Sequence, residues 1–320
     1  MSDAAAPSDA SPENDNLPAS SSPASENDAF AEAPAGAVWK LTFYGVRGSV
    51  PVCDAGYAEF GGDTTCFHLD VAHKPEGKHV HVVFDAGTGI RQLGKDVMAG
   101  RYGDSDQVLL HFSHFHWDHI QGLPFFAPVY VPDQQIAFYS PHHTVSSGEA
   151  FRDVMAQQMQ PTFFPVQLER MGAQMGFHTD KAFMDHFALD PDVSVRHHLN
   201  PHPGGAYSFR LDGYGRSVAI VTDYEHGETV NEDLVEFVRG VDLLVHEAQY
   251  TDAQLEERRG WGHSSYGQAI EVAERADARQ PYFTHHDPDH DDAFLREVEV
   301  ECQRRFPNCA MARQGSVAWG

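Results

Sequence analysis

A histidine- and aspartate-rich run directly after an apolar segment is the feature that most constrains this chain. Val108–Ser113 reads as a β-strand, and His114, His116, Asp118 and His119 follow it within six residues. Imidazole and carboxylate groups are both good ligands for zinc-like ions. Because these four groups follow one another in a single loop, we predict that the loop serves two adjacent divalent metal ions.

A site with two metal ions needs more ligands than one loop supplies. Later strand ends and loops offer further imidazole and carboxylate groups. The seven predicted ligands are His114, His116 and His202 for one ion, Asp118, His119 and His285 for the other, and Asp223 between them. Seven ligands leave room for a water molecule that bridges the two ions.

Two of these ligand positions have histidine neighbours that compete for the role. His285 is followed by His286, and His202 is preceded by His197 and His198. The pattern favours His285 because this residue directly follows an apolar strand, but it leaves both members of the pair open.

Short β-rich segments and helical patterns alternate along the chain. The predicted strands each end close to a polar side chain, and they are Leu41–Val46, His79–Phe84, Val108–Ser113, Ser217–Thr222, Asp242–Val245 and Pro281–Thr284. Helical periodicity predicts helices at Asn231–Arg239, Ser264–Ala276 and Asp292–Phe306. This mixture predicts a layered α/β architecture with a site along one edge of the sheets. The pattern is weakest at residues 124–200, where we expect an insertion that shapes the substrate site.

The acidic composition bears on the partners of the protein. The chain has 22 Lys and Arg residues against 47 Asp and Glu residues, which gives a net charge of −25. Binding to long nucleic acids depends on cationic side chains that displace counterions. We therefore expect no long RNA or DNA partner, whereas a small anionic substrate held by metal ions stays open. The frequency of symmetric dimers among proteins leaves a homodimer open as well.

The first 37 residues differ in composition from the rest. Residues 1–37 are mostly Ala, Ser, Pro, Asp, Glu and Asn, without Lys or Arg. Such a segment cannot bury enough apolar surface to offset its ordering entropy, so we predict a disordered acidic tail followed by one domain at residues 38–320. The chain has no apolar stretch of membrane-spanning length and no basic-then-apolar leader, which predicts a cytoplasmic protein with no membrane association. The four widely spaced cysteines predict reduced thiols.

Several segments together resemble the metallo-β-lactamase superfamily. In chain order they are "SHFHWDHIQGLPFF", "VTD", "VHEAQY", "GHSS" and "FTHHDP". The resemblance points especially to the tRNase Z-like and cyclic nucleotide phosphodiesterase-like branch, to which "FYGVRGSVP", "GGDTTC" and "FDAGTGI" are also similar. It implies an αββα sandwich and places the seven predicted ligands on the ligand positions of the family. It also favours His202, because the segment "PGGAYSFR" after it resembles the one that follows the third ligand of the family.

The resemblance further implies roles for residues around the metal ions. Asp85 falls where the family places a carboxylate that orients a ligating imidazole. His246 looks like the family histidine that stabilises developing charge or protonates the leaving oxygen, with Glu247 to orient it. His263 has the same standing, unless its loop only caps the following helix. Separately, Arg47 follows the first strand, from which its guanidinium could reach a substrate phosphate or form a structural salt bridge.

These features predict a metal-dependent phosphodiesterase. Two divalent ions a few ångströms apart activate a bridging water and neutralise charge on a phosphorus transition state. We expect Asp118 and Asp223 to hold the resulting hydroxide and His246 to assist the leaving group. Residues 124–200 have no cluster of Lys or Arg, so a small phosphodiester such as a cyclic nucleotide is favoured over tRNA.

Two other functions remain open from the sequence. The same metal chemistry could hydrolyse a carboxylic ester, lactone or thioester, and a metal-binding sensor without catalysis is the third alternative. The His-rich ligand set predicts Zn²⁺ as the metal, with Mn²⁺ or Fe as alternatives.

Overall fold

The computed structural model describes residues 34–71, 80–102, 107–179 and 193–320. The predicted acidic tail lies outside these residues except for 34–37, and so does the first residue of the strand predicted at His79–Phe84. The tail and the domain boundary after it therefore stay predictions.

One sheet contains strands from the N-terminal half and the C-terminal end of the chain. Its described strands are β1 (Trp39–Gly45), β2 (Cys66–Val71), β3 (Val80–Phe84), β4 (Gln107–His111), β5 (Gln135–Tyr139), β6 (Gln174–His178) and β13 (Val317–Trp319). Their order is β13-β1-β2-β3-β4-β5-β6. Strands β3 to β6 run parallel to one another, so their carboxyl ends share one edge of the sheet.

The other sheet contains strands from the C-terminal half. Its described strands are β7 (Val193–Asn200), β8 (Ala206–Gly213), β9 (Arg216–Val221), β10 (Leu243–Glu247), β11 (Gln280–Thr284) and β12 (Ala310–Met311). Their order is β12-β11-β10-β9-β8-β7, with β9 to β12 parallel. The predicted strands of this half thus appear within one or two residues of their predicted ends.

Helices are spread along the chain, and the predicted ones begin at polar capping residues. The described helices are α1 (Ile90–Met98), α2 (Trp117–Ile120), α3 (Gly148–Gln157), α4 (Glu232–Phe237), α5 (Asp252–Glu257), α6 (Tyr266–Arg275) and α7 (Asp292–Arg305). Ser265 caps α6 by accepting a hydrogen bond from the Gln268 N–H, and Asn231 and Asp291 cap α4 and α7 in the same way. None of the described helices is long and apolar enough to cross a membrane.

Buried side chains pack between the two sheets and on the outer face of each sheet. Between the sheets, Phe43 and Phe84 of the first sheet meet Ile220 of the second. Apolar residues of α1 and α3 pack on the outer face of the first sheet, and those of α4 and α6 pack on the outer face of the second. The central parts of the parallel strands are largely apolar because both of their faces are covered. The predicted four-layer αββα sandwich is confirmed.

One histidine lies within this apolar core. The ring of His111 is fully buried between the aromatic rings of Phe84, Tyr139 and Phe209, and neither of its nitrogens has a hydrogen-bond partner in the part of the chain that the structure describes. Burial lowers the pKa of His111 from 6.5 to about 3. His111 is therefore neutral in the folded state. The free energy of unfolding decreases as the pH falls from about 6.5 towards 3, because only the unfolded chain takes up the proton.

We expect His111→Phe to make the protein less sensitive to acid. In the wild type, protonation of His111 in the unfolded chain should lower the free energy of unfolding by about 1.4 kcal/mol for each pH unit below 6.5. A phenyl ring takes up no proton, so the variant does not lose this stability. Urea unfolding at pH 7.5 and pH 5.0 measures the effect as a difference of about 2 kcal/mol between variant and wild type. His111→Gln should lose the same pH dependence without gaining stability at pH 7.5. Parallel pH profiles for all three proteins would contradict the assignment.

Candidate metal centre

The metal-type residues come together where strands of both sheets end. The loop with His114 and His116 follows β4, and α2 begins directly after it at Trp117. Backbone hydrogen bonds tie the end of β3 to this loop, since the Asp85 N–H donates to the His111 carbonyl and the Ala86 N–H to the His119 carbonyl. The shared edge of the parallel strands thus brings residues from distant parts of the sequence into one pocket.

Three residues that follow strands have left-handed backbone conformations. They are Asp85 after β3 (φ +58°), Asp223 after β9 (φ +36°) and His285 after β11 (φ +61°). Non-glycine residues rarely adopt positive φ, and the conformation costs about 1 kcal/mol or more at each position. Such strain persists where the surrounding structure enforces it, and it clusters at functional sites.

The structure brings all seven predicted ligands together. They fall into two sets, and the ligand atoms within each set lie within 4.8 Å of one another: His114, His116, His202 and Asp223 in one, and Asp118, His119 and His285 in the other. Both candidates for the last position are now distinguished by their contacts. His285 Nε2 lies 3.2 Å from Asp118 Oδ2, whereas His286 Nε2–H donates to the Ala312 carbonyl. His197 packs against Tyr207 and His198 against Phe237, and neither belongs to either set, which leaves His202.

The carboxylate of Asp223 lies between the two sets. Its Oδ2 is 3.5 Å from His114 Nε2 and 3.7 Å from His202 Nε2. Its Oδ1 is 3.2 Å from His119 Nε2 and 3.4 Å from His285 Nε2. Each oxygen therefore faces a different pair of imidazoles, as a carboxylate that bridges two ions would.

The spacing of the ligand atoms fits metal ions of the size of zinc. Tetrahedral ligands at 2.0–2.1 Å from zinc stand about 3.3 Å apart, and the distances across Asp223 cluster around that value. His116 Nδ1 and His202 Nε2 are 3.0 Å apart. Among the described residues, the buried atoms His114 Nε2, His119 Nε2 and Asp223 Oδ1 have no hydrogen-bond partner. Unpartnered buried polar atoms are costly unless something binds them, so the residues present fit a bound metal.

The charges of the centre favour a cation. Burial lowers the pKa of His114 well below its usual value, which keeps the imidazole in the neutral form that ligates metal. Burial disfavours the ionised forms of Asp118 and Asp223, but neighbouring imidazoles, His119 and His285 among them, hold the pKa of both carboxyls well below the usual value. Burial also opposes the charged form of His119, yet the two carboxylates raise its pKa well above the usual value.

Four imidazoles are oriented through their Nδ1 atoms. His119 Nδ1–H donates to Asp85 Oδ2 over 2.8 Å, and His202 Nδ1–H donates to the Gly262 carbonyl over 2.9 Å. The remaining two pairs are His114 with Ser113 Oγ and His285 with Gln249 Oε1. A partner at Nδ1 fixes the tautomer and turns Nε2 towards the metal side. Asp85 thus lies where the sequence comparison with the family put it.

His246 lies on the opposite face of its strand. Side chains alternate along β10, so Val245 and Glu247 point to the space between the sheets while Leu244 and His246 point to the helices. The His246 ring packs against His226, with centroids 5.9 Å apart, and its Nδ1–H donates to the Glu247 carbonyl. The prediction that His246 assists the leaving group is wrong because the strand period turns it away from the ligand sets.

His263 takes the place at the centre that was expected for His246. Its ring stacks on His285 with centroids 5.0 Å apart and lies 5.5 Å from the ring of His202. One of its nitrogens lies within 4.8 Å of ligand atoms of Asp223 and His285. Its Nδ1 is 3.8 Å from Glu247 Oε2. Glu247 therefore faces His263 rather than His246.

Glu247 is a fully buried carboxyl between two loops. Its Oε1 accepts hydrogen bonds from the Tyr224 N–H over 3.2 Å and from the Ser264 N–H. Burial raises the pKa of Glu247 to about 8 and lowers that of His263 to about 3. Glu247 is thus placed to orient His263 and not His246, the residue for which this role is predicted from the sequence. The loop that carries His263 also leads into helix α6.

Arg47 does not reach the centre. Its side chain is fully buried, and its guanidinium donates to the carbonyls of Gly61, Asp287 and His290. Burial lowers its pKa. The prediction that Arg47 could bind a substrate phosphate is wrong, because these carbonyls engage the guanidinium inside the protein. Its contacts instead hold the loop that follows His285.

Two residues of the centre were missed at the sequence level. Gln249 Nε2 donates to Ser49 Oγ over 3.2 Å, and the Ser49 N–H donates to Asp118 Oδ2 over 2.8 Å. Together they connect His285 with Asp118. Gln249 could have been found from the strand period, because it lies two residues after Glu247. Ser49 reaches Asp118 through its backbone N–H, for which its residue type gives no signal.

Comparison with known proteins assigns the family. A family model described as the β-lactamase superfamily domain matches residues 81–286. The chain belongs to this superfamily. The predicted relationship and its implied fold are thus confirmed. YhfI of Bacillus subtilis, a metallo-β-lactamase fold protein, superposes with a TM-score of 0.61 at 19% identity, over 89% of this chain and all of that one.

Curated relatives match different shares of the chain. Ribonuclease Z of Anoxybacillus flavithermus is 37% identical over 98 residues, which make up 31% of this chain and 30% of that protein. The chain thus spans less than a third of this relative. Ribonuclease Z of Ignicoccus hospitalis is 25% identical over 279 residues, or 74% of this chain and 87% of that protein.

We expect Gln249→Leu to weaken one metal position. Leucine cannot accept the His285 Nδ1–H or hold Ser49, and loss of such a partner typically lowers metal affinity about 10- to 100-fold. Zinc titration against a chromophoric chelator should show one weakened ion and one ion bound as in the wild type. Gln249→Glu keeps an acceptor for His285 and should retain more affinity. Two unchanged affinities in the leucine variant would refute this role for Gln249.

Proposed function

We propose that this protein is a phosphodiesterase whose catalytic domain, residues 38–320, uses two divalent metal ions. The observation that carries the proposal is the position of Asp223, whose two carboxylate oxygens face two different imidazole pairs 3.2–3.7 Å away. A two-ion centre is the arrangement that stabilises both the attacking and the leaving oxygen of an in-line displacement at phosphorus. The His-rich donor set supports Zn²⁺, with Mn²⁺ or Fe as alternatives.

Relatives support phosphodiester chemistry. Curated relatives that match this chain carry the names ribonuclease Z and ribonuclease BN, and cleavage of RNA is hydrolysis of a phosphodiester. The net charge of −25 argues against a long RNA substrate for this chain, because RNA binding depends on cationic surface. We therefore propose a small phosphodiester, such as a cyclic nucleotide, as the substrate.

The residues of the chain have separate tasks in this reaction. Asp118 and Asp223 hold and orient the attacking oxygen, since both carboxylates face the ligand sets from within 4 Å. His263 stands at the same centre and donates a hydrogen bond to the leaving oxygen. Glu247, 3.8 Å from His263 Nδ1, orients that ring. The buried surroundings strengthen each of these interactions.

The class of reaction can be tested on three substrates. Metal-free protein reconstituted with Zn²⁺ or Mn²⁺ should hydrolyse bis(p-nitrophenyl) phosphate, with little activity on p-nitrophenyl acetate or a lactone. The expected preference follows from two ions placed to hold both oxygens of a phosphoryl transfer. Hydrolysis of the ester or lactone alone would replace the phosphodiesterase by a carbonyl hydrolase. Metal binding without turnover of any substrate would support a sensor instead.

We expect His263→Ala to lower kcat while the metal content stays the same. Loss of a proton-donating group at the leaving oxygen typically costs about 10²- to 10⁴-fold. The loss should be greater for a cyclic nucleotide than for bis(p-nitrophenyl) phosphate, since p-nitrophenolate leaves with little assistance. His246→Gln is the matched control, because His246 faces the helices and should keep kcat near the wild-type value. Equal losses in both variants would contradict the assignment of His263.

A further inference from the structure

Among the described residues, the proposed metal centre is exposed to solvent at His116. Most of its ligands are buried, namely His114, Asp118, His119, Asp223 and His285. His116 is exposed, whereas the side chain of His202 beside it is only 2% exposed. A substrate therefore approaches the centre from the side of His116, whose Nδ1 lies 3.0 Å from His202 Nε2.

Trp117 stands directly at this opening. It follows His116 in the chain and is the first residue of α2. Its side chain is 75% exposed, and among the described residues its indole stacks on no other ring. A side chain this exposed contributes little to the core, and its ring is accessible to a molecule that approaches the metal ligand His116.

Trp261 stands at the same opening on a different loop. Its side chain is 62% exposed. The flanking residues Gly260 and Gly262 have φ values of +87° and +94°, and both donate their N–H groups to the carboxylate of Glu225 over 2.6 Å. The Gly262 carbonyl accepts from His202 Nδ1–H over 2.9 Å. These bonds fix the loop, and therefore Trp261, next to His202.

The contact between His116 and His202 brings together the two segments that carry the indoles of Trp117 and Trp261. His116 Nδ1 and His202 Nε2 are 3.0 Å apart, with Trp117 next to one histidine and the Trp261 loop bonded to the other. Arg258 adds a positive charge on the Trp261 side, with its guanidinium 6.0 Å from that indole. Among the described residues, Arg258 forms no ion pair with a carboxylate, so its charge is available to an anion.

We propose that Trp117 and Trp261 form a stacking subsite for the base of a nucleotide whose phosphate lies at the metal centre. Exposed aromatic rings stack on nucleobases, whose flat faces suit them whatever the base. The inference rests on the proposed function and narrows its substrate to a phosphodiester that carries a base. Each indole should strengthen binding about tenfold or more, as stacking on a single aromatic residue generally does.

Binding can be measured with the full-length, zinc-loaded protein through tryptophan fluorescence. Adenosine 5′-monophosphate should quench the emission and bind at least about tenfold more tightly than ribose 5-phosphate, which lacks the base. Trp117→Leu and Trp261→Leu should each remove most of this advantage and leave ribose 5-phosphate binding unchanged. Trp117→Phe keeps a ring and should retain part of it. Trp319→Phe is the control, because Trp319 pairs with Lys40 at the far end of β1.

Hydrolysis separates the subsite from the proposed function. The leucine variants should lower kcat/KM for adenosine 2′,3′-cyclic phosphate and leave that for glycerol 1,2-cyclic phosphate unchanged. If both substrates are hydrolysed and the variants change neither, the subsite is wrong and the phosphodiesterase stands. If neither substrate is hydrolysed but the base-dependent binding is lost in the variants, the subsite stands without the proposed activity.

A second copy of the chain is the competing occupant of these indoles. In that case sedimentation velocity would show a dimer that the leucine variants dissociate, while their affinity for adenosine 5′-monophosphate would equal that of the wild type. That combination would overturn the proposal. A monomer or an unchanged dimer, together with loss of base-dependent binding, supports it.

Discussion

The rest of the centre depends on the contacts that the Asp223 carboxylate makes with four imidazoles. It is buried, and each of its oxygens faces a different pair of imidazoles. Burial of such a charge is costly unless positive charge or metal ions balance it. The surrounding imidazoles and the left-handed backbone at Asp223 therefore act together to hold this carboxylate between two pairs of imidazoles.

The scaffold holds this centre by orienting one atom of each imidazole. A side chain or carbonyl contacts Nδ1 of four histidines, and the Nε2 atoms of these histidines converge on the Asp223 carboxylate. The partners come from separate elements: Asp85 from the end of β3, Gln249 from the end of β10, and the Gly262 carbonyl from the loop before α6. The rigid sandwich thus fixes the site because the carboxyl ends of its parallel strands share one edge.

Much of the fold and ligand set could be predicted from the sequence because both leave local patterns. Apolar runs that end in a ligand gave the strand positions, and the tight spacing from His114 to His119 gave the metal loop. The errors concern orientation. His246 and Arg47 occupy promising positions along the chain, but the face of a strand and the depth of burial are set by packing between distant segments. Gln249 acts only through the fold, since its partner His285 is 36 residues away.

The central claim is that two ions share the Asp223 carboxylate, and anomalous diffraction from zinc-reconstituted crystals tests it most directly. The account predicts two zinc peaks roughly 3.5–4 Å apart. One peak should contact His114, His116 and His202, the other Asp118, His119 and His285, with an oxygen of Asp223 at each. A single peak, or two peaks of which only one contacts Asp223, would contradict it.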